Sequence, residues 1–211
     1  MLTTKLATEI VGGLSAPTKM PCWSFSIPAQ KCGVGSQLRK VKNSICSFCY
    51  ALKGRYAFQN VKDALARRFA NLSHPRWVDA MAYLINKKKN DVFRWHDSGD
   101  LQDVLHLERI AQVCRLTPDV RHWLPTREYA IVTQYVEKNG PLPDNLTVRL
   151  SAYMIDGPLP LGAANRLGVT VSGVTSDKAK GTCEAYKQGG KCLDCRKCWD
   201  KNNFVVLYPK H

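Results

Sequence analysis

Between residues 92 and 171 the chain alternates short apolar runs with longer amphipathic ones, and this rhythm limits the folds open to it. Val92-Phe93-Arg94-Trp95, Val120 to Leu124, Leu146 to Leu150 and Val169-Thr170-Val171 read as strands. Each is short and rich in β-branched or aromatic residues. Between them, Gln102 to Leu116 and Glu128 to Lys138 carry apolar residues at helical spacing, and Gly162 to Leu167 makes a short helical turn. Pro118, Asn139-Gly140-Pro141 and Gly168 supply the stops. Strand starts are roughly 23–28 residues apart, enough for one strand and one crossover helix. The alternation predicts an α/β fold with a parallel sheet and right-handed crossovers. Phe204-Val205-Val206-Leu207 offers a fifth strand. Eight units are not available, so the expected architecture is a partial (β/α) barrel with parallel strands, flanked by cysteine-rich metal-binding segments. Upstream, Asn60 to Leu72 reads as a helix with Arg67 and Arg68 on or beside its polar face. Pro75 opens a second helix running to about Lys88, and Lys87-Lys88-Lys89 complements its dipole.

In sheets of this kind chemistry gathers at the carboxyl ends of the strands. Polar residues collect there: His96-Asp97-Ser98-Gly99-Asp100 after the first predicted strand, Pro125-Thr126-Arg127-Glu128 after the second, Arg149-Leu150-Ser151 in the third, and Ser172 to Asp177 after the fourth. Asp100, Thr126 and Ser176 each suit a helix N-cap. Four such ends on one rim exceed what capping requires. Asp97 and Asp100 are the candidate catalytic pair, since neighbouring acids split their pKa values; the alternative is that Asp97 bonds the turn and Asp100 caps the helix. Arg127 and Arg149 suit phosphate, carboxylate or a guanine edge. His96, Thr126, Ser151 and Asp177 complete the expected substrate-binding rim, with His122 either core or site. Trp95, Trp123 and Tyr153 could stack on a base or belong to the core.

Eight of the nine cysteines fall into two groups of four: Cys22, Cys32, Cys46 and Cys49, then Cys183, Cys192, Cys195 and Cys198. A C-x2-C hook aims two thiolates at one ion or cluster. The first group allows a structural zinc, or an iron–sulfur cluster held by three thiolates with the fourth cysteine spare. The second, with its ligands close together, suits a closed zinc site or a fully ligated cluster. Asp194, Arg196 and Lys197 surround it and could form a basic knuckle that touches phosphate. Cys114, on the apolar stripe of a helix, reads as a buried core thiol. No apolar run is long enough for a membrane span, and Met1 to Pro17 lacks the pattern of an export signal. These features point to a cytoplasmic protein with no membrane partner and with metal rather than disulfides. The formal charge of +14, from 31 Lys and Arg against 17 Asp and Glu, points to an anionic partner, nucleic acid first among them.

The chain reads as a single domain over residues 1–211: an irregular metal-binding wrap over 1–58, a β/α core over 59–178 and a four-cysteine knot over 179–211. Apart from a short segment at Lys5–Val11, residues 1–45 show little periodicity, and Arg39-Lys40-Val41-Lys42 within them is either a solvated loop or a phosphate-contacting one.

Cys46-x2-Cys49-Tyr50-Ala51, Arg94-Trp95-His96-Asp97-Ser98-Gly99-Asp100-Leu101, Trp123-Leu124-Pro125-Thr126-Arg127, Arg149-Leu150-Ser151 and Cys192-x2-Cys195-Arg196-x-Cys198-Trp199 together resemble the bacteriophage family called gene product 88. That family looks related to a phage radical-SAM-like family. The likeness implies a 4Fe–4S cluster on Cys32, Cys46 and Cys49, with Ser98, Gly99 and Asp100 near S-adenosylmethionine. This chain departs from that pattern in the long gap between Cys32 and Cys46. A second stretch, Asp97-Ser98-Gly99-Asp100-Leu101-Gln102, is similar to the active-site segment of guanine transglycosylases, as is Leu124-Pro125-Thr126-Arg127. That likeness implies a zinc enzyme that inserts a 7-deazaguanine into DNA, with Gln102 in the substrate pocket. Arg121 stands where those enzymes carry the nucleophilic aspartate, so Asp97, Asp100 or Asp177 would have to replace it. The expected function is an iron–sulfur, radical-SAM-like enzyme acting on DNA, another nucleic acid or a nucleobase. The alternatives are a zinc transglycosylase-like enzyme and a non-catalytic nucleic-acid-binding module with two structural metal sites.

Overall fold

The computed structural model describes residues 1–210. Six parallel strands form one sheet: β1 (Trp23–Phe25), β2 (Val92–Trp95), β3 (Arg121–Thr126), β4 (Leu146–Ser151), β5 (Thr170–Thr175) and β6 (Val205–Pro209). Their spatial order is their sequence order, so β1 and β6 are the edges. The helices are α1 (Thr4–Val11), α2 (Val34–Leu38), α3 (Gln59–Ala70), α4 (Trp77–Lys88), α5 (Val104–Leu116), α6 (Tyr129–Asn139) and α7 (Leu161–Leu167).

A parallel sheet whose order never reverses, joined by crossovers of one hand, receives its helices on one face. The core has this form. Ala7 and Ile10 of α1, Trp77 and Met81 of α4, Leu107 and Ile110 of α5, Val132 and Tyr135 of α6 and Leu167 of α7 pack in one cluster. They meet Phe25, Phe93, Trp95, Leu124, Leu146, Val148, Leu150 and Val171 of the strands. Cys114 lies fully buried in this cluster. The alternate residues of each strand face the other way. Arg94 lies over the Trp123 ring at 4.4 Å, Thr147 Oγ1 donates to Trp199 O at 2.9 Å, and Ser151 and Ser172 share a hydrogen bond at 3.1 Å. This second face is covered by the segment between β5 and β6, which lacks long helices and carries the last four cysteines. Trp199 seats there, edge-on to Trp123 at 5.2 Å, with Nε1 donating to Phe93 O at 2.8 Å.

The alternation of strands and helices is as expected from the sequence, with one strand more. β1 lies inside the segment expected to be an irregular wrap. Three residues cannot display a two-residue period, and what defines this strand is its pairing with β2. The N-caps also differ. Asp103, not Asp100, caps α5 by accepting from His106 N at 2.7 Å, and Asp177, not Ser176, caps the turn after β5. Arg68 does not lie on a polar face: it is buried, donating to Gly13 O and Ser15 Oγ. No helix among the described residues is long and apolar enough to cross a membrane.

Three histidines are buried on the helical side. His122 bonds Thr117 Oγ1 at 2.8 Å, and burial pushes its pKa down to about 3. His106 is pushed down to about 4, mainly by burial. His96 is held well below the usual imidazole range by burial and by His106, whose ring lies 5.3 Å away. Unfolding exposes all three to water, where imidazole titrates near ~6.5. The folded chain therefore binds fewer protons below that pH. Stability is constant with respect to these groups above about pH 6.5 and falls as pH drops toward 4. At pH 5 the loss should be about 2 kcal/mol for each histidine. Urea denaturation at pH 7 and pH 5 measures it. A His122→Gln variant, which keeps a polar partner for Thr117 but does not titrate, should show the shallower pH dependence.

Candidate functional site

The loop after β1 brings Cys32, Cys46 and Cys49 to the carboxyl rim of the sheet, and most of the rim's polar groups hold that loop in place. Glu128, just past β3, accepts from Val34 N at 2.7 Å and also from Gly33 N, so it serves as the cap that α2 lacks in its own sequence. Ile45 N donates to Tyr153 O at 2.9 Å, Ile155 N to Asn43 O at 3.2 Å, and Ser44 bridges Met154 antiparallel. Gln102 Nε2 donates to Lys31 O at 3.1 Å. Gly35 closes the space between two of the thiols. A Cβ there would lie 3.0 Å from Cys32 Cβ, 3.5 Å from Cys46 Sγ and 3.6 Å from Cys32 Sγ, so a larger residue would press on both.

Asp100 stands beside these thiols with its carboxylate fully engaged. It accepts from Thr126 Oγ1 at 2.6 Å, Arg127 N at 2.9 Å and Leu101 N at 2.8 Å. Burial raises its pKa, and these bonds oppose the rise. It is a buried acceptor that joins the ends of β2 and β3. Ser98 is likewise spent, donating to Ile27 O at 3.0 Å. Gly99 has φ +81°, and a Cβ would meet Ile27 Cγ1 at 2.3 Å, so only glycine fits where the ends of β1 and β2 touch. Ser151 pairs with Ser172. His96 is buried against His106 on the helical side. Asp177 is exposed and accepts from Ala179 N in its own turn. Arg127 Nε donates to Ala152 O at 3.2 Å, and its charge draws the Cys46 thiol down against the effect of burial. Burial, with Asp100 and the neighbouring thiols, pushes Cys32 up to about 12.

Asp97 is the carboxylate of the rim that side chains, rather than backbone, surround. It accepts from Tyr56 OH at 2.7 Å and Ser24 Oγ at 3.2 Å, while its own carbonyl accepts from Tyr50 OH at 2.6 Å. Burial first and Asp97 second push the Tyr56 phenol upward. Tyr50, Tyr56 and Ser24 were not among the residues expected from sequence, because nothing local links them to Asp97. Glu128 was read as a polar residue of the rim and the start of a helix, but not as the acceptor that caps α2.

Two expectations are overturned. Arg149 is fully buried, with its guanidinium donating to Lys197 O at 2.7 Å, Asn203 O at 2.7 Å, Asp200 O at 2.9 Å and Cys198 O at 3.1 Å. It binds the cysteine knot and has no donor to spare for a substrate. Cys22 is separated from Cys32 because β1 lies between them, the one before the strand and the other after it. Cys22 instead lies by Cys192, whose N donates to Lys19 O at 2.9 Å, and packs with Met20, Trp123, Cys198 and Trp199. Cys192 in turn feels Cys183 and Cys195, and Cys198 feels Cys183. Cys198 Sγ lies 3.3 Å from Tyr208 OH. The fold thus divides eight cysteines into three at the rim and five on the covered face. All nine thiols are unbridged, and among the described residues no three His, Cys, Asp or Glu side chains are placed as a formed metal cage. Lys197 and Arg196 are paired with Glu184 at 2.6 Å and Asp91 at 3.6 Å, so the expected basic knuckle is largely neutralised. Trp95 and Trp123 are core residues, and Tyr153 stacks on Tyr129 at 4.8 Å.

The rim of a parallel α/β sheet crossed by a cysteine-bearing loop defines a class of architecture but not an activity. The chain belongs to the gene product 88 family, whose model matches residues 2–201. No curated protein and no solved structure matches it.

The role given to Arg149 predicts the effect of its loss. Arg149→Met would strand several buried carbonyls and should cost about 3–5 kcal/mol of stability by urea denaturation. Parent-like stability would return Arg149 to the list of substrate ligands.

Proposed function

We propose that the protein is an iron–sulfur enzyme of radical-SAM-like type, built on a partial (β/α) barrel and acting on nucleic acid or a nucleobase. The observation that carries the reading is the division of the cysteines. Three stand on the loop after the first strand, at the end of the sheet where α/β folds place their chemistry. The unbroken strand order and the single helical face support the barrel geometry. The donor set fits a cluster: Cys32 and Cys46 face one small space that Gly35 leaves open, and Cys49 follows on the same turn. Held by these three thiolates, a cluster would leave one iron open to an outside ligand, S-adenosylmethionine in this reading, and would pass on to it one electron taken from an external reductant. The chain's own residues do the rest. Glu128 and Gln102 fix the loop, Asp100 fixes the backbone of Arg127, and Arg127 offsets thiolate charge at Cys46. The five cysteines on the covered face would hold a second centre, a cluster or zinc, with Cys22 contributing to it. The charge of +14 favours a polyanionic substrate.

One observation favours the zinc transglycosylase-like alternative. Asp97, unlike Asp100, has a half-buried carboxylate held by two hydroxyls, a setting suited to a nucleophile.

Metal analysis and an absorption spectrum on protein purified without oxygen test both readings. The cluster reading expects brown protein, a broad band at roughly 400 nm and about four irons per filled site. Cys32→Ala should remove the rim cluster alone, whereas Cys22→Ala should lower the metal content of the second centre. Colourless protein with about two zincs would overturn the cluster. Asp97→Asn would then separate a transglycosylase, which loses turnover but still binds, from a binding module, which loses nothing.

A further inference from the structure

From Ile10 to Lys62 the chain contains no aspartate or glutamate, yet it carries eight lysines and arginines. The same stretch presents three aromatic side chains to solvent: Phe48 is 51% exposed, Tyr50 59% and Phe58 60%. They are held out by their backbone. Phe48 ends the tight turn Ile45–Phe48 between Cys46 and Cys49, Tyr50 begins the next turn, and Phe58 stands at the start of α3. Tyr50 is further pinned by its hydroxyl, which donates to Asp97 O at 2.6 Å and lies 3.4 Å from Arg94 Nη2. The Phe48 ring carries the Lys210 ammonium 4.6 Å from its centre, next to the end of β6. Around these rings Lys40, Lys42, Lys53, Arg55 and Lys62 are exposed.

Rigid, outward-facing rings among unpaired cations match one kind of polymer. Phosphates meet the cations and flat apolar bases meet the rings. A duplex offers the phosphates but hides the base faces. We infer that residues 39–62 form a binding surface for single-stranded nucleic acid, with Phe48, Tyr50 and Phe58 as stacking platforms that lead a base toward the rim beside Asp97. The inference rests on the nucleic-acid part of the proposed function and gives it a strand state and a surface.

The test uses the full chain and a fluorescent oligothymidylate of about 15 nucleotides, read by anisotropy. The expected result has three parts. The single strand binds more tightly than a duplex of equal length, and its affinity falls steeply with salt. Phe48→Leu and Phe58→Leu, which keep an apolar side chain but remove the ring, each weaken single-strand binding by about tenfold. Their duplex binding and urea midpoints stay at parent values. Equal binding of both forms, unmoved by the two leucine variants, would overturn the stacking surface while leaving the nucleic-acid reading in place. Binding to phosphatidylserine vesicles with none to either nucleic acid would overturn both.

Discussion

A parallel sheet has to be covered on both faces, because its strands are buried on both. In this chain the helices cover only one. The one-way strand order sends α1 and α4 to α7 to the same side, and the opposite face, with Ser24, Arg94, Thr147, Arg149 and Tyr208, falls to a segment without long helices. That segment cannot satisfy its own backbone by regular pairing. Arg149 does it instead, spreading one guanidinium over carbonyls from Lys197 to Asn203, while Trp199 fills the centre. Four of the five cysteines on that side belong to a cover that has little regular structure to hold it, and the fifth, Cys22, precedes β1.

The rim is assembled by a different rule. Its carboxylates work mostly on backbone amides. Glu128 starts α2 from outside that helix, and Asp100 joins the turns after β2 and β3. Burial raises the pKa of both acids, and donors from other elements oppose the rise. Fixing the loop in this way sets the Cys46 thiol within reach of the Arg127 charge. The aromatic, acid-free surface beside the rim is the part that the proposed polymer binding would use.

The regular part of this fold was legible because period is a local property. β2 to β6 and α3 to α7 each show it over their own residues. β1 did not, since three residues carry no period and its identity lies in the partner strand. The site was less legible for the same reason. Arg149 and Asp100 have residue types that serve catalysis or structure equally well. What decides is whether their partners are substrate or backbone, and those partners lie as far as 55 residues away. Cys22 illustrates the limit most plainly. Sequence distance grouped it with Cys32, but a single intervening strand carries the chain from one part of the sheet to another. The gene product 88 resemblance, read from five short motifs, reached the family that the whole-chain comparison shows.

The bonds of Arg149 also impose an order of events on a newly made chain. The arginine leaves the ribosome about fifty residues ahead of the carbonyls that receive it. Until they arrive, the middle of the sheet holds a cation that it cannot bury, so β4 must stay wet on one side while the helical side packs. The cover, with its four thiols, therefore closes late, over a molecule in which Cys22 is already in place and still open to whatever the cell delivers to those thiols.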